Sequence, residues 1–192
     1  AVKELDPQQV ITLDEPIFPP LYAQQASLAG FEPGERVSAL DLMYGALLPS
    51  GAECCVGLAQ AMAGSETAFA EQMNREAKNL GMKHTHFVNS TGLQDKNHYS
   101  TAEDLALLLD TALEEPLFYQ IFTTHSYTAT GSFHPFGSTF TGTLWELPEA
   151  ESLKNGIILG GKTGYTQEAG LCLASLAEVG GREYLLVTAG AK

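Results

Sequence analysis

The alternation of apolar and polar positions divides the chain into a short strand, a block of helices and a terminal pair of strands. In "QQVITL", residues 8–13, the side chains alternate over enough positions to predict a short strand. Residues 14–37, "DEPIFPPLYAQQASLAGFEPGERV", hold too many prolines and glycines for a regular element and read as an ordered loop. Ser38, with Asp41 three residues on, gives a helix start of the capping-box kind, and Leu40, Met43, Tyr44 and Leu47 then share one helical face up to Pro49. The next segment, "AECCVGLAQAMAG", is apolar on nearly every side, as a helix buried at the centre of a domain is. Ser65 caps a third helix with a stripe of Phe69, Met73, Ala77 and Leu80, and Gly81 stands in the usual stop position.

Residues 84–99 read as loop with a short extended piece. Ser100 and Glu103 then form a second capping box before "DLALLLDTAL", which ends ahead of Pro116. Residues 118–150, rich in Thr, Gly and aromatics, predict short strands and loops. Core packing is the preferred use of Phe118, Tyr119, Tyr127, Phe133, Phe136 and Phe140, and the lining of a substrate groove is the other. From Gly161 onward the pattern changes to "KTGYT", then "GLCLASLAEV", the pair Gly180 and Gly181, and "REYLLVTAG". Two apolar strands around a Gly-Gly turn predict a hairpin. Helices followed by an antiparallel hairpin give an α+β class, with a single domain over 1–192, a helical lobe over about 36–116 and a sheet region over about 155–192.

Composition narrows the partners. Ten basic against 23 acidic residues give a net charge of -13, which repels nucleic acid and anionic lipid surfaces. No apolar run is long enough to span a bilayer. The three cysteines make no disulfide framework, and Cys54 and Cys55, adjacent on a predicted helix, read as free thiols. His84, His86 and His98 with Asp95 invite a zinc reading, but their spacing matches no metal signature, so neither a metal nor any other cofactor is expected.

Two stretches carry candidate chemistry. In "GGKTGYT" Lys162 stands at the head of a strand predicted to form a sheet edge, with glycines around it that permit close approach to the backbone. Lys162 and Thr163 together place an ammonium beside a hydroxyl, a pairing suited to a carboxylate; a solvated lysine at a strand start is the plain alternative. Ser50, in "PSGAE", precedes the buried helix, where a simple N-cap is the alternative. Read together, the two stretches match two parts of the S-x-x-K, S-x-N, K-T-G signature of the serine acyl-transferases that include penicillin-binding proteins.

From about Phe31 to its end, in order and spacing, the chain resembles the low-molecular-mass D-alanyl-D-alanine carboxypeptidases. "ERVSALDLMYGALLPSGAECCVGLAQAMAG" is similar to part of their central helical region, and "GGKTGYTQEAGLCLASLAEVGGREYLLVTAG" to their motif strand and following hairpin. The resemblance implies a β-lactamase/transpeptidase-like fold, an antiparallel sheet with a mostly helical lobe, incomplete at both ends. It implies a serine-type carboxypeptidase, exported to the cell envelope, that trims the terminal D-Ala of peptidoglycan stem peptides and is inhibited by β-lactams. Ser50 would relay protons, Lys162, Thr163 and Gly164 would hold the terminal carboxylate, and the Tyr165 backbone N–H would supply half of an oxyanion hole.

Two departures accompany the resemblance. Ala52 occupies the substrate-binding place usually held by Asn, so another group must bond the substrate amide, the turnover is lower, or a shift of one residue brings in Glu53. No serine has a lysine three residues on, so the nucleophile is expected upstream of Ala1, and a membrane anchor, if there is one, outside this chain. A non-catalytic D-Ala-D-Ala or β-lactam binding homologue and a class A-like β-lactamase are the alternatives.

Overall fold

The computed structural model describes residues 1–147 and 153–191; the end of the 118–150 region and Lys192 lie outside the described residues. Strand β1 (Val10–Thr12) pairs antiparallel with β2 (Arg36–Ser38), Ile11 opposite Val37. The connection between them is more regular than its composition predicts. A 3-10 turn over Glu15–Ile17 runs into helix α1 (Phe18–Ala23), and Ile17, Phe18 and Leu21 are buried. Pro16, Pro19 and Pro20 sit in first turns, where no backbone N–H is needed, so here proline starts helices instead of breaking them.

Helix α2 (Ala39–Leu47) begins as its sequence predicts: the Ser38 hydroxyl accepts the Asp41 N–H at 3.1 Å. Helix α3 (Ala52–Ala63) runs through the core. It presses so closely on Leu13 that a Cβ on Gly57 would lie 2.4 Å from that side chain. Both α3 and α4 (Glu66–Leu80) stop at left-handed glycines, Gly64 and Gly81. Helix α5 (Ala102–Leu113) is capped by Thr101 instead of Ser100. The buried Asp104 carboxylate takes the His84 N–H and the Thr85 hydroxyl, which fixes the first turn one residue later than predicted and leaves Ser100 to pair with Thr85. Helix α6 (Pro116–Phe122) replaces the start of the predicted strand-and-loop region, with Pro116 as its first residue.

Strands β3 (Ser126–Ala129) and β4 (Ser138–Thr141) form a hairpin beside α2. The aromatics divide. Tyr127 stacks on Tyr44 with centroids 3.6 Å apart and donates to Asp41, Phe140 is buried, and Phe118 stacks on Phe122. Phe133 and Phe136 stand in solvent, so core packing does not account for them.

The second sheet is β5 (Gly156–Thr166), β6 (Gly170–Val179) and β7 (Arg182–Ala191), in that order. Gly180 and Gly181, both at positive φ, make the predicted tight turn. Strand β5 lies at the sheet edge, as expected. It starts at Gly156, however, so Lys162 stands inside the strand and not at its head. One face of the sheet packs Leu159, Leu176, Leu185 and Val187 against Leu109, Phe118 and Phe122 of α5 and α6.

On the same sheet Leu171, Tyr184 and Leu186 remain 53%, 52% and 55% exposed. Apolar surface gathered in this way favours association. Prepared as these 192 residues alone, the protein is expected to scatter light at micromolar concentration, and the double variant Tyr184→Lys, Leu186→Lys to scatter less. Equal scattering from the two proteins would show that this face is not the cause.

Candidate active site

The turn between α2 and α3 is shaped by glycine. The Gly51 N–H bonds the Gly45 carbonyl at 2.9 Å, and a Cβ on Gly51 would lie 2.7 Å from Ala29 Cβ and 2.8 Å from the Gly45 oxygen. The chain therefore passes through a gap that only glycine fits, and the preceding residue absorbs the bend. Ser50 takes φ +62°, a left-handed conformation that non-glycine residues rarely adopt and that is concentrated at functional sites. Gly51, not Ser50, is the N-cap of α3. The Ser50 side chain is thereby free to face the sheet, where its Oγ accepts a hydrogen bond from Lys162 Nζ.

Lys162 also donates to the Thr163 carbonyl at 2.7 Å, and burial lowers its pKa from the ordinary lysine value. The glycines before it serve packing. A Cβ on Gly160 would lie 2.2 Å from the Phe122 carbonyl oxygen, and one on Gly161 2.7 Å from Leu144 Cδ2. Around Gly164, among the described residues, only Cys172 Cβ comes near, at 3.8 Å, which leaves the backbone more open there than at Gly160 or Gly161. Since strand orientation repeats every two residues, the Tyr165 N–H faces the same way as the Thr163 carbonyl that Lys162 reaches, along the open edge of β5. The Tyr165 ring is 69% exposed.

Ser50 and Lys162, read from two distant stretches, thus meet at the edge strand, along which Thr163 and Tyr165 follow. Ala52 offers no donor to it: its methyl is buried and its N–H bonds the Ser27 carbonyl at 2.9 Å. Glu53 does not replace the missing amide either. Its carboxylate is fully buried on the far side of the turn, where Oε1 accepts the N–H groups of Ala29 and Gly30 at 2.7 and 2.9 Å. Among the described residues Oε2 has no partner, and desolvation raises the pKa of the group against those backbone bonds.

Of three further groups around the site, the sequence singled out Glu53 and Cys55 without placing them, and gave no sign of Thr143. Glu53, read as a possible substitute for the missing amide, is a lone acid in the first turn of an apolar helix. Cys55 lies near Lys162, half-buried, its thiol pushed up to about 12 mainly by desolvation and by Glu53, with Lys162 opposing. The Thr143 hydroxyl pairs with that of Thr163 at 2.5 Å. Among the described residues no three potential metal ligands gather; His86 bonds the Asn97 carbonyl and His98 accepts the Val88 N–H.

The arrangement has relatives. A model of the D-alanyl-D-alanine carboxypeptidase family matches residues 3–192. The chain is 34% identical over 172 residues to a D-alanyl-D-alanine carboxypeptidase of Bacillus subtilis, DacF, covering 86% of this chain and 42% of that protein. It is 33% identical over 195 residues to DacD of Escherichia coli, covering 97% of this chain and 46% of that protein. It thus spans about half the length of these curated relatives. Among solved structures, a Streptomyces DD-transpeptidase superposes with a TM-score of 0.84 at 28% identity, over 97% of this chain and 73% of that one. A D-alanyl-D-alanine carboxypeptidase of Mycobacterium tuberculosis gives 0.81 at 27%, over 100% and 69%. The α+β architecture is that of the transpeptidase/β-lactamase fold. With a family model matching nearly its whole length, the chain belongs to the D-alanyl-D-alanine carboxypeptidase family.

Proposed function

We propose that this chain forms the substrate-holding and proton-relaying side of a serine-type D-Ala-D-Ala carboxypeptidase acting on peptidoglycan stem peptides in the cell envelope, outside the cytoplasm. The observation that carries the reading is the Lys162 ammonium on the Ser50 hydroxyl, which ties the helical half to the edge strand. The reading calls for an attacking serine of the S-x-x-K kind, and no serine of these 192 residues has a lysine three positions on.

In this reading the stem peptide lies along the open edge of β5. Its terminal carboxylate meets the Lys162 ammonium and the Thr163 hydroxyl, with Gly164 leaving room at the backbone. The serine oxygen attacks the carbonyl of the penultimate D-Ala as its proton passes into the Ser50 relay, and the Tyr165 N–H faces the negative charge that develops there. As the tetrahedral intermediate collapses, the C–N bond breaks and the leaving amine takes a proton through Ser50. The Ser50 oxygen already accepts from Lys162, so its own proton is the one available to donate. Water then hydrolyses the ester and frees the serine. A β-lactam carries a comparable carboxylate and acylates the same serine.

Labelled penicillin tests this on the protein expressed from its complete reading frame. Covalent label surviving denaturation is the expected result. Saturable binding that is lost on denaturation would replace the enzyme by a module that recognises D-Ala-D-Ala ends without cutting them.

A further inference from the structure

The Thr163 hydroxyl is not alone. Its oxygen lies 2.5 Å from Thr143 Oγ1, and between two hydroxyls at that distance only one proton lies on the line joining them. If Thr163 gave that proton, its lone pairs would be left facing an incoming anion. If Thr143 gives it, Thr163 keeps its own proton for the ligand.

Thr143 is held to this position from several sides. Its N–H bonds the Leu48 carbonyl at 3.2 Å, two residues before Ser50. The next residue, Leu144, is buried against Gly161 of β5, where a Cβ would lie 2.7 Å from it. The preceding Gly142 N–H bonds the His125 carbonyl at 2.9 Å, and Trp145 stacks on the His125 ring with centroids 3.6 Å apart. The turn over 142–145 is therefore seated on β5, and its threonine touches both that strand and the segment leading to Ser50.

We infer that Thr143 is a positioning residue for substrate binding: it donates to Thr163 Oγ1, which commits the Thr163 proton to the carboxylate of the bound peptide. This rests on the carboxylate-clamp reading proposed above.

The test uses the protein from its complete reading frame and a peptide ending in D-Ala-D-Ala. Thr143→Val keeps the shape and removes the hydroxyl; KM is expected to rise about tenfold, the range for a hydrogen bond to a charged group, with kcat within about twofold. Thr143→Ser restores the hydroxyl and is expected to return KM to within about twofold of wild type. An unchanged KM in Thr143→Val, a serine variant as poor as the valine one, or a raised KM accompanied by an equal loss of kcat and a lowered melting temperature would each overturn the inference while leaving the clamp standing. Failure of the wild-type protein to process or bind the peptide would overturn the proposed function, and this inference with it.

Discussion

Lys162→Met is expected to slow acylation by penicillin by roughly 10²–10³-fold while leaving the fold at least as stable. Methionine keeps an unbranched stem but removes the charge. What is lost is the donor to Ser50, the donor to the Thr163 carbonyl and, in the proposed clamp, the counter-charge for a carboxylate. A preorganised charged donor in a partly desolvated groove is worth about that factor. Stability follows the opposite sign. Burial lowers the Lys162 pKa, so the native state binds this proton less tightly than the unfolded chain does. Between the lowered value and the ordinary 10.5, the unfolded chain holds more protons, and stability rises with pH through that window. At neutral pH the native state carries the penalty of a desolvated ammonium, which methionine relieves. In the wild type, acylation is expected to fall on the alkaline side at a pH below 10.5, and in Lys162→Met that alkaline limb is absent. Stopped-flow acylation from neutral to alkaline pH, with thermal melts of both proteins, checks this. An unchanged rate with a lowered melting temperature would show that Lys162 serves structure and not the ligand.

The second large effect is expected at Glu53, which touches no candidate site residue. Its Oε1 holds the N–H groups of Ala29 and Gly30, and Ala29 in turn packs where Gly51 can have no Cβ. Glu53→Ala unties the 27–30 segment and opens a cavity beneath the turn that bears Ser50. The loss is expected to be about 2 kcal/mol, near 5 °C in melting temperature for a chain of this size, with slower acylation as Ser50 loses its left-handed pose. Glu53→Gln keeps an acceptor and is expected to lose less than half as much. The pH sign separates charge from geometry. Desolvation raises the Glu53 pKa, so between the ordinary 4.5 and the raised value the native state binds more protons than the unfolded chain, and stability falls as pH rises through that window. Glu53→Gln is expected to flatten that slope. Denaturant titrations across the acidic to neutral range measure it, and parallel profiles for the wild type and Glu53→Gln would rule the carboxylate out as the source.

Elements with local causes were legible in the chain alone. The Ser38 and Ser65 caps, the Gly81 stop and the Gly180, Gly181 turn depend on groups within a few residues of one another, and each lies where it was read. The shift from Ser100 to Thr101 and the helices begun by Pro19 and Pro116 were not legible, because Asp104's burial and the packing of α6 on β5 choose between local options of similar energy. The candidate site divides in the same way. Ser50 and Lys162 could be singled out as residue types in short motifs, but 112 positions separate them and no periodicity states that they touch. The tertiary structure alone decided that the Gly51 gap turns Ser50 toward β5, that Glu53 faces away into the 27–30 segment, and that Thr143 meets Thr163. These are contacts between segments remote in the chain, fixed by how the helical half closes on the edge strand, and that closure is a property of the whole packed core.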